Sequence, residues 1–231
     1  MKCTLTTTIV IASIILMTAL PLACKSQPSL TAPEIIAQSE QQMGSVSSFH
    51  FELKQEGGGT PVAQSLEMSE AAGDIVKPDK LSVTLYVTVM GMLTQVDVIT
   101  IGGTTYMTNP LSQQWEPLPG RFNAISIFDP NSGISAILRG MTDLAKLEDE
   151  KVTGLDCYHI EGNIVSQDLR PITINSQEGA NIYTEVYIDK EEFLLRQIRL
   201  EGQITAEENP GIVRTLTLSD FNQEVEIELP E

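Results

Sequence analysis

The sequence predicts a mainly β, α+β fold, a curved antiparallel half-barrel sheet with a few helices on its concave side. Three observations point to it. Apolar and polar residues alternate with period two through most of the chain after residue 48, only two stretches carry a helical period, and nothing alternates as β-α-β. A sheet of about ten strands must curl or close. Its apolar face needs a cover, and two or three short helices scarcely fill a space that wide, so the shape favours an apolar hollow.

The chain opens Met1-Lys2 and rises into the apolar run Ile9–Leu20. That run has the length of a signal-peptide core and falls short of the roughly 20 residues a spanning helix needs. Ala23 is small, as a cleavage site requires, and Cys24 follows at once, before the polar run Lys25-Ser26-Gln27-Pro28-Ser29. "LPLAC" resembles the lipobox of bacterial lipoproteins, in which the cysteine is diacylated on sulfur and becomes the mature N-terminus. It departs at Pro21, which stands where leucine is usual, with Leu20 one step upstream. An ordinary secretory signal ending near a cysteine is the alternative. On the lipobox reading residues 1–23 are a signal peptide, 24–30 a lipidated tether, and 31–231 a single domain. Two acyl chains make a durable anchor where one binds only marginally.

Loss of Lys2 with the signal leaves 13 Lys+Arg against 31 Asp+Glu, a net charge near −18. Such a surface repels nucleic acid and anionic headgroups, so nucleic-acid binding is excluded and lipid rather than a basic patch would hold the membrane. Cys157 then remains as a single cysteine, with no partner for a disulfide or a thiolate metal site, and reads as a small buried apolar residue.

In the mature part, Thr31-Ala32-Pro33-Glu34 is a capping-box pattern that opens a helix. Ile35, Ile36 and Met43 give its apolar stripe, and Gly44 is expected to end it. Phe49, Phe51 and Leu53 then alternate with His50, Glu52 and Lys54, and after Gly57-Gly58-Gly59 a second strand runs through Leu66 and Met68. Leu81, Val83, Leu85, Val87 and Val89 face one way while Ser82, Thr84, Tyr86 and Thr88 face the other. Gly102-Gly103 divides two further strands as a hairpin turn. These first five strands form an antiparallel meander with one apolar face. Turn residues Asp129-Pro130-Asn131 lead into Ile134, Ile137, Leu138 and Met141, spaced as one helical face, with Ile125, Ile127 and Phe128 just before. Strands resume at 156–165, 182–189, 193–206 and 212–222, with turns at 189–192 and 209–211.

Catalytic chemistry finds little footing. His50 and His159 lie on strand patterns, where a polar-face histidine is usually solvated. Cys157 and His159 share a strand face, but no turn or helix start activates the thiol, and packing explains the pair better. Glu148-Asp149-Glu150 and Glu191-Glu192 lack the oxygen-rich, glycine-centred spacing of a calcium loop and read as solvated turns. Gly57-Gly58-Gly59 has no following Lys-Ser/Thr and cradles no phosphate. The expectation is a non-enzyme with no cofactor and no metal.

The order of motifs then carries a resemblance: "SFHFEL", "VKPDKLSV", "GGTTYMTNPLSQQW", "FDPNSGISAIL", "VTGLDCYHIEG", "YTEVYIDKEEFLLRQIRLEG" and "LTLSDFNQEVEIELP". Over about residues 31 to 229 the chain resembles the LppX/LprA/LprF/LprG group of actinobacterial lipoproteins. Each motif is weak alone; order and spacing make the match. The resemblance implies a half-barrel similar to the LolA/LolB carriers and an acylated lipid or glycolipid held in its hollow. It also implies a lipid anchor on the extracytoplasmic face of the cell membrane, with an envelope transporter or lipid-acceptor protein as partner. The cavity-lining candidates are Phe49, Phe51, Leu53, Leu66, Met68, Leu81, Val83, Leu85, Val87 and Val89. Ile125, Ile127, Phe128, Ile134, Ile137 and Leu138 are candidates for a movable cover. The alternative is the same sheet with a filled core, presenting its acidic exterior to another envelope protein.

Overall fold

The computed structural model describes residues 29–63, 66–118, 133–172 and 176–230. Helix α1 (Ala32–Ser45) precedes strands β1 (Ser48–Glu56), β2 (Thr60–Ala63), β3 (Leu66–Val76), β4 (Lys80–Val89), β5 (Met92–Ile101), β6 (Thr104–Thr108) and β7 (Trp115–Pro117). Helix α2 (Ile134–Gly140) leads into β8 (Thr142–Lys146), β9 (Glu150–Val152) and β10 (Leu155–Val165). A 3₁₀ segment (Ser166–Ile172) precedes β11 (Asn181–Asp189), β12 (Leu195–Glu201) and β13 (Val213–Ser219).

The described strands join one antiparallel sheet in the order β7-β6-β5-β4-β3-β1-β13-β12-β11-β10-β8, with β2 on β3 and β9 on β10. The sheet is curved and not closed. The strands that the sequence pattern did not mark are β2, β7, β8 and β9, each five residues or fewer and too short to carry a readable alternation. The last strand returns to lie beside the first: β1 pairs with β13 over seven positions, from His50↔Ser219 to Glu56↔Val213. That pairing of the first strand with the last joins the meander β1, β3–β7 to the second meander β10–β13.

The α1 start follows its capping pattern. The Thr31 amide and hydroxyl both donate to the Glu34 carboxylate, at 2.8 and 2.7 Å. These bonds, the backbone one foremost, hold the Glu34 carboxyl below its usual range. The other end differs from expectation, because the helix runs through Gly44 to Ser45 and the chain turns extended at Val46. Burial of Val46 stops the helix, and the freed Gly44 carbonyl accepts a hydrogen bond from Lys77 Nζ at 3.0 Å.

Helices α1 and α2 pack together over the inner face of the sheet, with Ile35, Ile36, Ile137 and Leu138 buried in the main apolar cluster. Arg139 Nε donates to Glu40 at 2.8 Å and fastens the two helices. Gly73 in β3 lies where the backbone of β4 comes close: a Cβ there would meet the Ser82 carbonyl oxygen at 2.1 Å. Glycine alone fits.

Candidate functional site

Strand register builds an apolar inner wall row by row. Leu218, Phe51, Gly73, Val83 and Val98 stand side by side across five strands, and Leu216, Leu53, Ala71, Leu85 and Val96 form the next row. A register shift between Met68 and Glu70 keeps Met68 opposite Val87 and Leu66 opposite Val89, so the start of β3 still presents its apolar residues inward.

All ten wall candidates belong to one apolar cluster, but they are covered unequally. Phe49, Leu81, Val83 and Val87 are buried, whereas Phe51, Leu53, Leu66, Met68, Leu85 and Val89 remain partly exposed. Leu216 extends that partly exposed strip onto β13. Further along the same wall Ile160, Ile164, Ile182, Val186, Ile198 and Leu200 are closed off, and Leu169 of the 3₁₀ segment is buried in the same cluster. The wall thus has a filled half over β10–β12 and an under-covered half over β13, β1, β3 and β4. Of the cover candidates, Ile134, Ile137 and Leu138 sit on α2, buried in the core cluster. Ile125, Ile127 and Phe128, and the anchor candidate Cys24, lie outside the described residues.

A polar cluster closes the wall at the end of β1 and the start of β13. Arg214 shares the inward parity of Leu216 and Leu218 and stands opposite Gln55, yet it is only 4% exposed. Its guanidinium pairs with Glu208, and Nη1 donates to the Gly202 carbonyl at 3.1 Å. Glu208 also accepts the amides of Ile204 and Thr205 at 2.8 and 2.9 Å, and the Thr60 hydroxyl lies 3.0 Å away. Thr60 is 2.9 Å from the Gln55 side-chain oxygen, so β1, β2, β13 and the 202–211 loop meet here. The sequence held a signal for this cluster: Ile212, Arg214, Leu216 and Leu218 alternate inward, and a charge in that series must find a buried partner.

At the opposite end a groove of about 280 Å³ runs between the end of α1 and the turn before β12. Gln42, Ser45, Glu191, Glu192 and Asn222 make much of its lining polar, and none of the wall candidates lines it.

The outer face corrects the expectation for His159. It is buried, not solvated, because Tyr187 directly opposite on β11 stacks on it at 4.3 Å between ring centres. Its Nδ1 and Nε2 lie 3.4 Å from Glu150 and 3.3 Å from Glu185. Cys157 is buried in a satellite cluster with Val152 and Tyr187, and burial pushes its thiol up, opposite to what a nucleophile needs. Burial likewise pushes Tyr187 up to about 12, and the hydrogen bond that Tyr183 donates to Glu161 at 2.6 Å holds its phenol well above the usual range. His50 is tied to Asp74 at 2.8 Å. Among the described residues no three His, Cys, Asp or Glu side chains converge as metal ligands, and no helix is long and apolar enough to cross a membrane.

Comparison with known proteins agrees with this architecture. LprF from Mycobacterium bovis superposes with a TM-score of 0.70 at 14% identity, covering 87% of this chain and 99% of its own. The lipoprotein LppX from Mycobacterium tuberculosis gives 0.60 at 18% identity, covering 85% and 99%. At such identities the likeness is one of fold. No curated protein matches the chain by sequence. The model of the LppX_LprAFG lipoprotein family matches residues 31–227, which take in every described strand and both helices, and the chain belongs to that family.

Proposed function

We propose that this protein is an envelope lipoprotein, anchored through Cys24 on the extracytoplasmic face of the cell membrane, that shelters the acyl chains of a lipid or glycolipid against its inner wall. One observation carries the reading: the contiguous strip Phe51, Leu53, Leu66, Met68, Leu85, Val89 and Leu216 is apolar, inward-facing and only partly covered, beside a half of the same wall that is fully packed. Carbon chains laid on such a strip gain about 0.8 kcal/mol for each methylene removed from water, so an acyl chain of about fifteen methylenes gains on the order of 12 kcal/mol gross. Little polar chemistry is then required for affinity. Helices α1 and α2 form the fixed part of the cover, and the segment that precedes α2, with Ile125, Ile127 and Phe128, is the proposed movable part. Carriage to an envelope transporter or lipid acceptor, rather than catalysis, is the role this wall serves.

Native mass spectrometry of the purified protein tests the reading. Co-purifying lipid, displaced by an added fluorescent fatty acid, is the expected result. A protein that emerges lipid-free and ignores the fatty acid would instead support a scaffold with a filled core.

A further inference from the structure

From Leu81 to Trp115 the only Asp, Glu, Lys or Arg is Asp97, in a chain with 31 acidic and 14 basic residues. Asp97 itself is held at the sheet surface by Thr84 Oγ1 at 2.7 Å and Gln95 Nε2 at 2.8 Å. This uncharged stretch contains the β4–β5 hairpin, whose two-residue turn is Met90-Gly91, with φ of +51° and +80°. Such a turn favours asparagine and glycine; methionine is an unusual choice, and here it is 86% exposed. Met92 and Leu93 beside it are 63% and 66% exposed, and Leu111 is 76% exposed. Leu111 belongs to the same end of the molecule, because Thr94 Oγ1 donates to the Pro110 carbonyl at 3.4 Å and Gln113 Nε2 to the Gln95 carbonyl at 3.3 Å. The flanking charges are occupied elsewhere: Glu67 accepts the Gly59 amide at 2.7 Å and Glu116 accepts from Asn109 at 3.2 Å.

We propose that the β4–β5 hairpin tip, with Met90, Met92, Leu93 and Leu111, is a bilayer-docking element that enters the interfacial region of a membrane. Three apolar side chains on a narrow hairpin, with Leu111 beside them, are far too little area for a stable protein dimer, which buries about 1,600 Å² in all. They are enough to wedge among acyl chains, where flexible methionines adapt and the tip side chains themselves carry no charge to dehydrate. The tip is also continuous with the inner wall: Met92 stands opposite Val89 and Val89 opposite Leu66, the last row of the partly exposed strip. A docked tip would therefore present the open half of the wall to the membrane. This last step rests on the lipid-carrier reading; docking itself does not.

The test uses the full chain purified from membranes and reconstituted in phosphatidylcholine vesicles with brominated acyl chains. Trp115→Phe removes the single native tryptophan, and Met92→Trp or, as a control, Leu155→Trp at a 42% exposed position on β10 supplies a reporter. Bromine should quench the reporter at 92 by about twofold or more relative to that at 155, and Met90→Glu with Leu93→Glu should abolish the difference. Equal quenching at both positions overturns the proposal. So does a concentration-dependent dimer, lost in the double glutamate variant, that forms without quenching. Native mass spectrometry of the same samples separates the two readings. Quenching in a protein that carries no lipid defeats the carrier and leaves docking, while carried lipid without quenching does the reverse.

Discussion

Arg214 occupies an inward position in an otherwise apolar series, and its burial is tolerable only because Glu208 and the Gly202 carbonyl meet it. Taking two charges out of water costs several kcal/mol each, and removing one partner strands the other. Arg214→Met alone should therefore cost about 3–5 kcal/mol in urea unfolding, while Arg214→Met combined with Glu208→Leu should recover most of that loss. Equal loss in the single and double variants would mean that the loop contacts of Glu208, not the ion pair, hold this end. Tyr187 makes a second residue-level prediction. Its phenol is raised by burial first and by Glu185 next, so the neutral form favours the fold. That contribution is complete below pH 10 and is lost as pH rises from 10 through about 12. Tyr187→Phe should flatten the fall of the urea midpoint across that window.

At the level of elements, β3 is the strand on which the wall depends. Its bulge resets the phase so that Leu66 and Met68 stay inward, and Gly73 admits the β4 backbone. Gly73→Ala should cost about 1–3 kcal/mol by overpacking, visible as a lowered Tm with the same far-UV spectrum; an unchanged Tm would mean the two strands can part without loss. The long strands were legible because period two writes itself in sequence, as in Leu81, Val83, Leu85, Val87 and Val89. Of the strands of three to five residues only β6 was, through the Gly102-Gly103 turn before it, since two apolar positions make no pattern by themselves. The α1 start was legible from Thr31 and Glu34, whereas its end was not, because the stop comes from burying Val46, a tertiary event, rather than from Gly44. His159 misled for the same reason: the residue that buries it, Tyr187, is adjacent only after β10 and β11 pair. The wall candidates could be read as one face, but which half of that face is filled depends on helices and loops whose placement no period encodes.

The whole molecule combines a strongly acidic surface with an apolar end poor in charge, and that asymmetry governs how it can sit at a membrane. With 14 Lys+Arg against 31 Asp+Glu, attraction to anionic headgroups cannot supply the attachment. On the proposed function the acyl groups on Cys24 do so, and hydrophobic anchoring is not weakened by ions, which screen charge within about 10 Å at 0.1 M salt. Washing membranes with 1 M salt, where screening shortens to about 3 Å, should therefore leave the protein bound. Cys24→Ala should block acylation and leave an uncleaved precursor or a mislocalised chain. The two treatments discriminate mechanisms: release by salt would point to a charged partner protein as the tether, and normal processing of Cys24→Ala would return residues 1–23 to an ordinary secretory signal. Raised salt should also strengthen contact of the hairpin tip with anionic vesicles, because it screens the repulsion between acidic protein and acidic surface that otherwise holds the tip away.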